Sequence, residues 1–168
     1  QMWAPDVYQG APAPVTAFLA VGSKAAGFVL LTRLLYSGFL GAHQIWAPLV
    51  LWTAAITLLY GNLGALFQHN LKRLLGYSSI AQAGNIAVGL AAVAAGSTAG
   101  PSGVLFFLGA YAVTNVGAFV VVSLVADRLG SEQIADYAGL VKRSPAAAIV
   151  LSLCLVSLTG IPPTAGFV

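Results

Sequence analysis

Lys24 is the residue whose placement asks for chemistry. It stands inside an apolar run from Val15 to Tyr36, ten positions after Pro14 and nine before Arg33. At about 1.5 Å of rise per residue, either end of such a helix lies on the order of 14 Å away. The lysine stem is too short to carry its charge across that distance to a surface. An ammonium at the middle of a bilayer costs about 2.5–3.5 kcal/mol on insertion scales, so it must face a helix interface, a partner or water. Ala17, Ala20 and Gly27 share its face and leave room for close helix contact or a hydrated gap. An ionisable residue inside the membrane is by default a functional site. The structural alternative is a lysine paired with a carboxylate elsewhere in the parent protein.

Three further stretches carry polar residues at helical spacing. Ser78, Gln82, Asn85 and Gly89 fall on one face, Thr53, Thr57, Tyr60 and Gly64 on another, and Tyr111, Thr114 and Asn115 form a cluster. Stripes of this kind can line a file of waters, and they can equally tie packed helices together at about 0.6 kcal/mol per contact. Spacing alone supports both readings. Ser78, Gln82 and Asn85 are the best candidates for a wetted face, with Tyr111, Thr114 and Asn115 beside them.

Composition dictates the scaffold that holds these side chains. Of 168 residues, 59% are apolar and 7% charged, against roughly 25% charged in a soluble domain. With a mean hydropathy of +0.91, most of the chain needs lipid as its solvent. Five segments are long enough to span as helices: 15–36, 45–67, 74–96, 104–126 and 146–168. The alternating pattern of a β-barrel is absent. The expected fold is therefore an all-α, polytopic bundle of transmembrane helices forming a single membrane unit, residues 1–168.

Two stretches break the helical pattern. Trp3 to Pro14 contains three prolines and cannot run as one helix, and Gly160-Ile161-Pro162-Pro163 interrupts the last segment. Irregular backbone at membrane depth is tolerated where it is buried or lines a cavity, and paired interruptions point to an inverted-repeat transporter. The plain alternative for the first stretch is a loop at the membrane surface. The chain opens without a signal-like segment and closes without a polar tail, so both ends read as internal to a longer protein.

Basic residues set an orientation. Lys72, Arg73, Arg128, Lys142 and Arg143 lie after the second and fourth segments, and only Arg33 lies toward the other side. The positive-inside rule makes loops 68–73 and 127–145 cytoplasmic and reads Lys72 and Arg73 as topological anchors. Asp127, Glu132 and Asp136 read as a solvated surface and Asp6 as structural. His43 and His69 have no metal-ligand pattern around them. Seven Lys and Arg, for a formal charge of +3, are too sparse for a nucleic-acid footprint. The single Cys154 can form no intrachain disulfide. No phosphate-binding glycine motif or cysteine cluster is present, so the chain carries no cofactor-binding or metal site by motif.

Four blocks carry a family resemblance: Trp3-Ala4-Pro5-Asp6-Val7-Tyr8-Gln9-Gly10-Ala11-Pro12-Ala13-Pro14-Val15, Gly22-Ser23-Lys24-Ala25-Ala26, Asn70-Leu71-Lys72-Arg73-Leu74-Leu75-Gly76-Tyr77-Ser78-Ser79-Ile80, and Leu158-Thr159-Gly160-Ile161-Pro162-Pro163-Thr164-Ala165-Gly166-Phe167. In order and spacing they resemble subunit N, the antiporter-like membrane subunit of the bacterial proton-pumping NADH:quinone oxidoreductase, respiratory complex I. The resemblance covers essentially the whole chain and implies roughly helices eight to twelve of an inverted-repeat fold with broken helices. It implies that Lys24 is the central proton relay between two half-channels. It places the flanking lysines of the two broken helices just outside this stretch, and the second break at Gly160, Pro162 and Pro163. Gln1 stands where many relatives carry His.

The same resemblance implies a subunit of a translocase in the bacterial inner membrane, with no redox chemistry of its own. NADH, flavin, iron–sulfur clusters and quinone would belong to partner subunits. Expected partners are the other membrane subunits, especially a sister antiporter-like subunit, and membrane lipids. Two other readings stand beside this one: a subunit of a related multi-subunit sodium/proton antiporter or membrane-bound hydrogenase, and a non-translocating membrane scaffold.

Overall fold

In the computed structural model, which describes residues 2–162 and 164, the helices are arranged around one central element. The described residues form eight α-helices: α1 (Ala4–Gly10), α2 (Ala13–Phe18), α3 (Lys24–Arg33), α4 (His43–Leu66), α5 (Leu71–Ala91), α6 (Gly100–Leu129), α7 (Leu140–Arg143) and α8 (Pro145–Leu158). No strand occurs among the described residues, which makes the chain an all-α protein. The central element is α5, which packs against α1, α4 and α6.

α5 starts where Asn70, extended at φ −98° and ψ 129°, accepts a hydrogen bond on its side chain from the Arg73 amide at 3.1 Å. This is the N-cap arrangement that satisfies an otherwise orphaned helical donor. Its partners come close because small residues face them. A Cβ on Gly61 would lie 2.6 Å from the Ala81 amide nitrogen, and one on Gly76 would lie 2.9 Å from the Pro5 Cα. Small-residue faces of this kind are how membrane helices gain packing when lipid offers no hydrophobic drive between them. α5 can therefore carry polar residues: it is solvated by other helices.

The outer helices show the opposite pattern. Leu49, Trp52, Ile56, Leu59, Leu63 and Leu66 form an exposed stripe along α4, a face that water could not solvate. Among the described residues, three helical stretches are long and apolar enough to cross a membrane: Ala13–Gly38, Leu40–Leu66 and Gly100–Leu129. α8 is a shorter apolar helix. The segment expected over 146–168 is helical as Pro145–Leu158, after which Gly160 takes a positive φ of 75°. Pro163 and residues 165–168 lie outside the described residues.

The proline-rich opening is a helix, a break and a second helix, and a plain surface loop is thereby ruled out. Pro5 sits in the first turn of α1, where its missing N–H costs nothing. Ala4, Pro5 and Tyr8 are buried, and α1 packs on α5. The break falls at Ala11, extended at φ −82° and ψ 152° ahead of Pro12, as the residue before a proline prefers. From Ala13 the chain runs as one helical rod of 26 residues to Gly38. Two π-helical turns interrupt its regularity, Leu19–Ser23 and Leu34–Gly38.

Residues 68–73 and the loop after α6 meet at one end of the bundle. The Leu71 amide donates to the Glu132 carbonyl at 2.9 Å, and the Ile134 amide donates to the His69 carbonyl at 2.8 Å. Two expectations change here. Lys72 is no exposed anchor: it is buried and paired with Glu132 at 2.7 Å. Glu132 is therefore not part of a purely solvated loop. Asp6 pairs with Arg73 at 2.8 Å, a contact within the chain.

Candidate functional site

The π-helical turn Leu19–Ser23 ends immediately before Lys24. An extra residue in a helical turn rotates the rest of the helix about its axis, and such bulges gather at functional sites. Here the turn sends Lys24 inward, where it is 9% exposed. Its Nζ donates to the Ser79 carbonyl, to Ser79 Oγ at 2.6 Å and to the Tyr111 hydroxyl at 3.2 Å. The three ammonium protons thus have three oxygen acceptors. The Tyr111 ring adds a cation–π contact, with Nζ 4.6 Å from its centroid. Among the described residues no carboxylate lies within ion-pair distance of Lys24.

The acceptors form a chain of their own. Asn115 Nδ2 donates to the Tyr111 hydroxyl at 2.8 Å, and Tyr111 donates to Ser79 Oγ at 3.0 Å. Ser79 Oγ then lies 3.2 Å from the Tyr8 hydroxyl. A hydroxyl has one proton and two lone pairs. With Lys24 and Tyr111 both donating to it, Ser79 has its own proton left for Tyr8. The file Asn115–Tyr111–Ser79–Tyr8 therefore passes beside the ammonium, with the Tyr111 and Ser79 protons directed along it toward Tyr8. Beyond Tyr8 opens a cavity of about 310 Å³, lined by Tyr8, Ser23, Lys24, Gly27 and Ser79 among others. It is roomy and polar enough for several waters. On the opposite side, Tyr111 borders a void of about 10 Å³ with Gln82, Thr114 and Ser157.

Not every residue expected on a wetted path is at Lys24. Tyr111 and Asn115 are; Ser78, Gln82 and Asn85 are not. Those three line a separate cleft of about 450 Å³ between α4, α5 and α8. Gln82 also ties helices together. Its Nε2 donates to the Leu158 carbonyl at 2.6 Å, and its Oε1 accepts from Asn85 at 2.8 Å. Thr114 bonds its own helix at the Ala110 and Tyr111 carbonyls, and Thr53 and Thr57 likewise bond within α4. Gly160 and Pro162 lie in the turn after α8; Pro163 is outside the described residues.

Sequence reasoning missed Ser79 and Tyr8. Ser79 is the next residue after Ser78, so on a helix it points about 100° away from that stripe. Its one signal was membership of the Gly76-Tyr77-Ser78-Ser79 block. Tyr8 likewise carried only its place in the block from Trp3 to Val15.

The structure is that of a helical membrane protein with a lysine buried at mid-span, hydroxyls around it and broken helices beside it. The chain belongs to the NADH:quinone oxidoreductase/Mrp antiporter transmembrane family, whose model matches residues 1–168. It is 54% identical over 167 residues to NADH-quinone oxidoreductase subunit N of Desulforamulus reducens, covering 99% of this chain and 34% of that one. It is 47% identical to NAD(P)H-quinone oxidoreductase subunit 2 of Gloeobacter violaceus, over 98% of this chain and 32% of the relative. Among solved structures, it resembles a chain of respiratory complex I from Thermus thermophilus, with 34% identity, a TM-score of 0.71, and coverage of 99% of this chain and 35% of that one. A chain of the archaeal membrane-bound sulfane sulfur reductase, a respiratory membrane complex, is 32% identical with a TM-score of 0.83, over 96% of this chain and 33% of its own. The chain thus spans about a third of the length of the relatives it matches.

Proposed function

We propose that this chain forms the central part of a proton-translocating membrane subunit, with Lys24 as the relay, in a complex whose partner subunits oxidise NADH and reduce quinone. The observation that carries this reading is the Lys24 site. Among the described residues a buried cation at mid-span is held by neutral groups, two hydroxyls and a backbone carbonyl, with a cavity on one side that Tyr8, Ser23 and Ser79 border. The redox cofactors belong to partners in this reading, and the other membrane subunits, a sister antiporter-like one among them, cover the open faces. Five crossings of the inner membrane go with it.

The relatives favour coupling to NADH over a free-standing antiporter, and vesicles separate the two. Inverted membrane vesicles containing the full-length protein are expected to acidify when NADH is added. Acidification should stop with a quinone-site inhibitor and persist with a sodium ionophore. Acidification driven by a sodium gradient without NADH would favour the antiporter reading.

Sidedness is tested with single cysteines at exposed positions. His69→Cys and Ala138→Cys should react with an impermeant thiol reagent from the cytoplasmic side, and Thr98→Cys from the opposite side. The expectation comes from Lys72, Arg73, Arg128, Lys142 and Arg143 gathering at one end. Labelling of His69→Cys and Thr98→Cys from the same side would overturn the proposed crossings.

A further inference from the structure

At the break between α1 and α2 the Tyr8 and Gly10 carbonyls lose their usual helical donors, because Pro12 and Pro14 have no N–H to give, and the Ala11 carbonyl lies in the extended break itself. At a membrane such oxygens must find partners inside the protein. The Thr16 hydroxyl reaches the Tyr8, Ala11 and Pro12 carbonyls at 3.5, 3.4 and 3.1 Å. The shortest side-chain contact comes from another helix: Lys72 Nζ donates to the Ala11 carbonyl at 2.8 Å. Lys72 is 4% exposed, and its charge is met by Glu132 at 2.7 Å. Glu132 also accepts from Asn70 Nδ2 at 3.3 Å, and its carbonyl is held by the Leu71 amide at 2.9 Å. A topological anchor would keep its ammonium in the headgroups. This one is turned inward onto the break, at the carbonyl end of α1, where a cation is favoured.

The α1 helix carries Tyr8, the last hydroxyl of the file beside Lys24. Its near end is seated by Pro5 against Gly76, and its far end by Lys72 at Ala11. α5 treats the second interruption in the same way, through Gln82 on the Leu158 carbonyl. We propose that Lys72, neutralised by Glu132 and bound to the Ala11 carbonyl, is a positioning residue that clamps the α1–α2 break and so delivers Tyr8 to Ser79 beside Lys24. The proposal rests on the reading of Lys24 as relay.

The test uses the full-length protein in its assembled complex, with NADH-driven acidification normalised to subunit content. Lys72→Met is expected to lower pumping about tenfold, within what displacement of a reacting group costs. Lys72→Arg keeps the donor and the charge but does not release a proton, and it should pump within about twofold of the parent by the same reasoning. In a Tyr8→Phe background, Lys72→Met should cost little more, because residues acting through one contact are not additive. Parental pumping by Lys72→Met, strictly additive losses, or equal loss in Lys72→Arg and Lys72→Met would each overturn the clamp. If Lys72→Met does not assemble, Glu132→Gln with and without Tyr8→Phe asks the same question, and additivity there counts against it. Lys24→Ala in the same vesicles separates the two claims. If Lys24→Ala loses pumping while Lys72→Met pumps at the parental rate, the clamp alone has failed. If Lys24→Ala pumps normally, the relay reading has failed.

Discussion

Replacing Lys24 with alanine in the full-length protein is expected to lower NADH-driven proton translocation by roughly 10²-fold, the scale of a positioned proton-transfer group, while assembly is retained. The two effects separate because of what the substitution leaves behind. Ser79, Tyr111, Tyr8 and Asn115 keep one another as hydrogen-bond partners. The Ser79 carbonyl lies mid-helix in α5, where a backbone amide four residues on also serves it. The adjoining cavity of about 310 Å³ lets water take the vacated place, so no polar group is stranded. What disappears is the group that takes up a proton as an amine and gives it up as an ammonium. Lys24→Arg should also be impaired, since guanidinium holds its proton in proteins. Pumping at the parental rate by assembled Lys24→Ala protein would remove Lys24 from the mechanism.

The largest expected effect on stability comes from Gly61→Ala. Alanine is the better helix former by about 1 kcal/mol, so an unobstructed Gly→Ala change inside a helix should stabilise. At Gly61 the new Cβ would lie 2.6 Å from the Ala81 nitrogen and 3.0 Å from its Cα. Both are backbone atoms, which cannot rotate aside, so α4 and α5 must move apart along their contact. Overpacking of that kind costs about 1–3 kcal/mol, and thermal unfolding of the detergent-solubilised full-length protein should shift down by several degrees. Gly109→Ala is the control, because a Cβ there meets nothing within 4 Å; its midpoint should hold or rise. Equal midpoints for the two variants would show that the α4–α5 approach is looser than 2.6 Å implies.

Lys24 and both interruptions were legible because each depends on local properties of the chain. A charge in the middle of an apolar run is costly wherever the run is placed. A proline lacks its N–H in any fold, so Pro12 ends α1 and the chain restarts at Ala13. The family was legible too, from short blocks in fixed order. Lys72 and Glu132 were misread for the opposite reason. On a linear sequence, a lysine at a helix start and an acid in a polar loop look like solvated charges. Only the meeting of residues 68–73 with the loop after α6 brings them to 2.7 Å and buries the lysine. Ser79 was passed over in favour of Ser78 because periodicity groups residues by face without saying which face meets which neighbour.

Residue order alone therefore dictated the solvent of this protein, its helical content, the place where a charge is buried in an apolar run and the places where helices must break. These are decided by hydrophobicity, charge and missing amides, all carried within a few residues. The surroundings of Lys24 were settled only by packing. Tyr8, Ser79 and Tyr111 come from α1, α5 and α6, and they converge because close packing on the small residues of α5, together with the π-helical turn before Lys24, sets the rotation of each helix. That rotation is a property of the packed bundle, since every helix finds its facing only against the others.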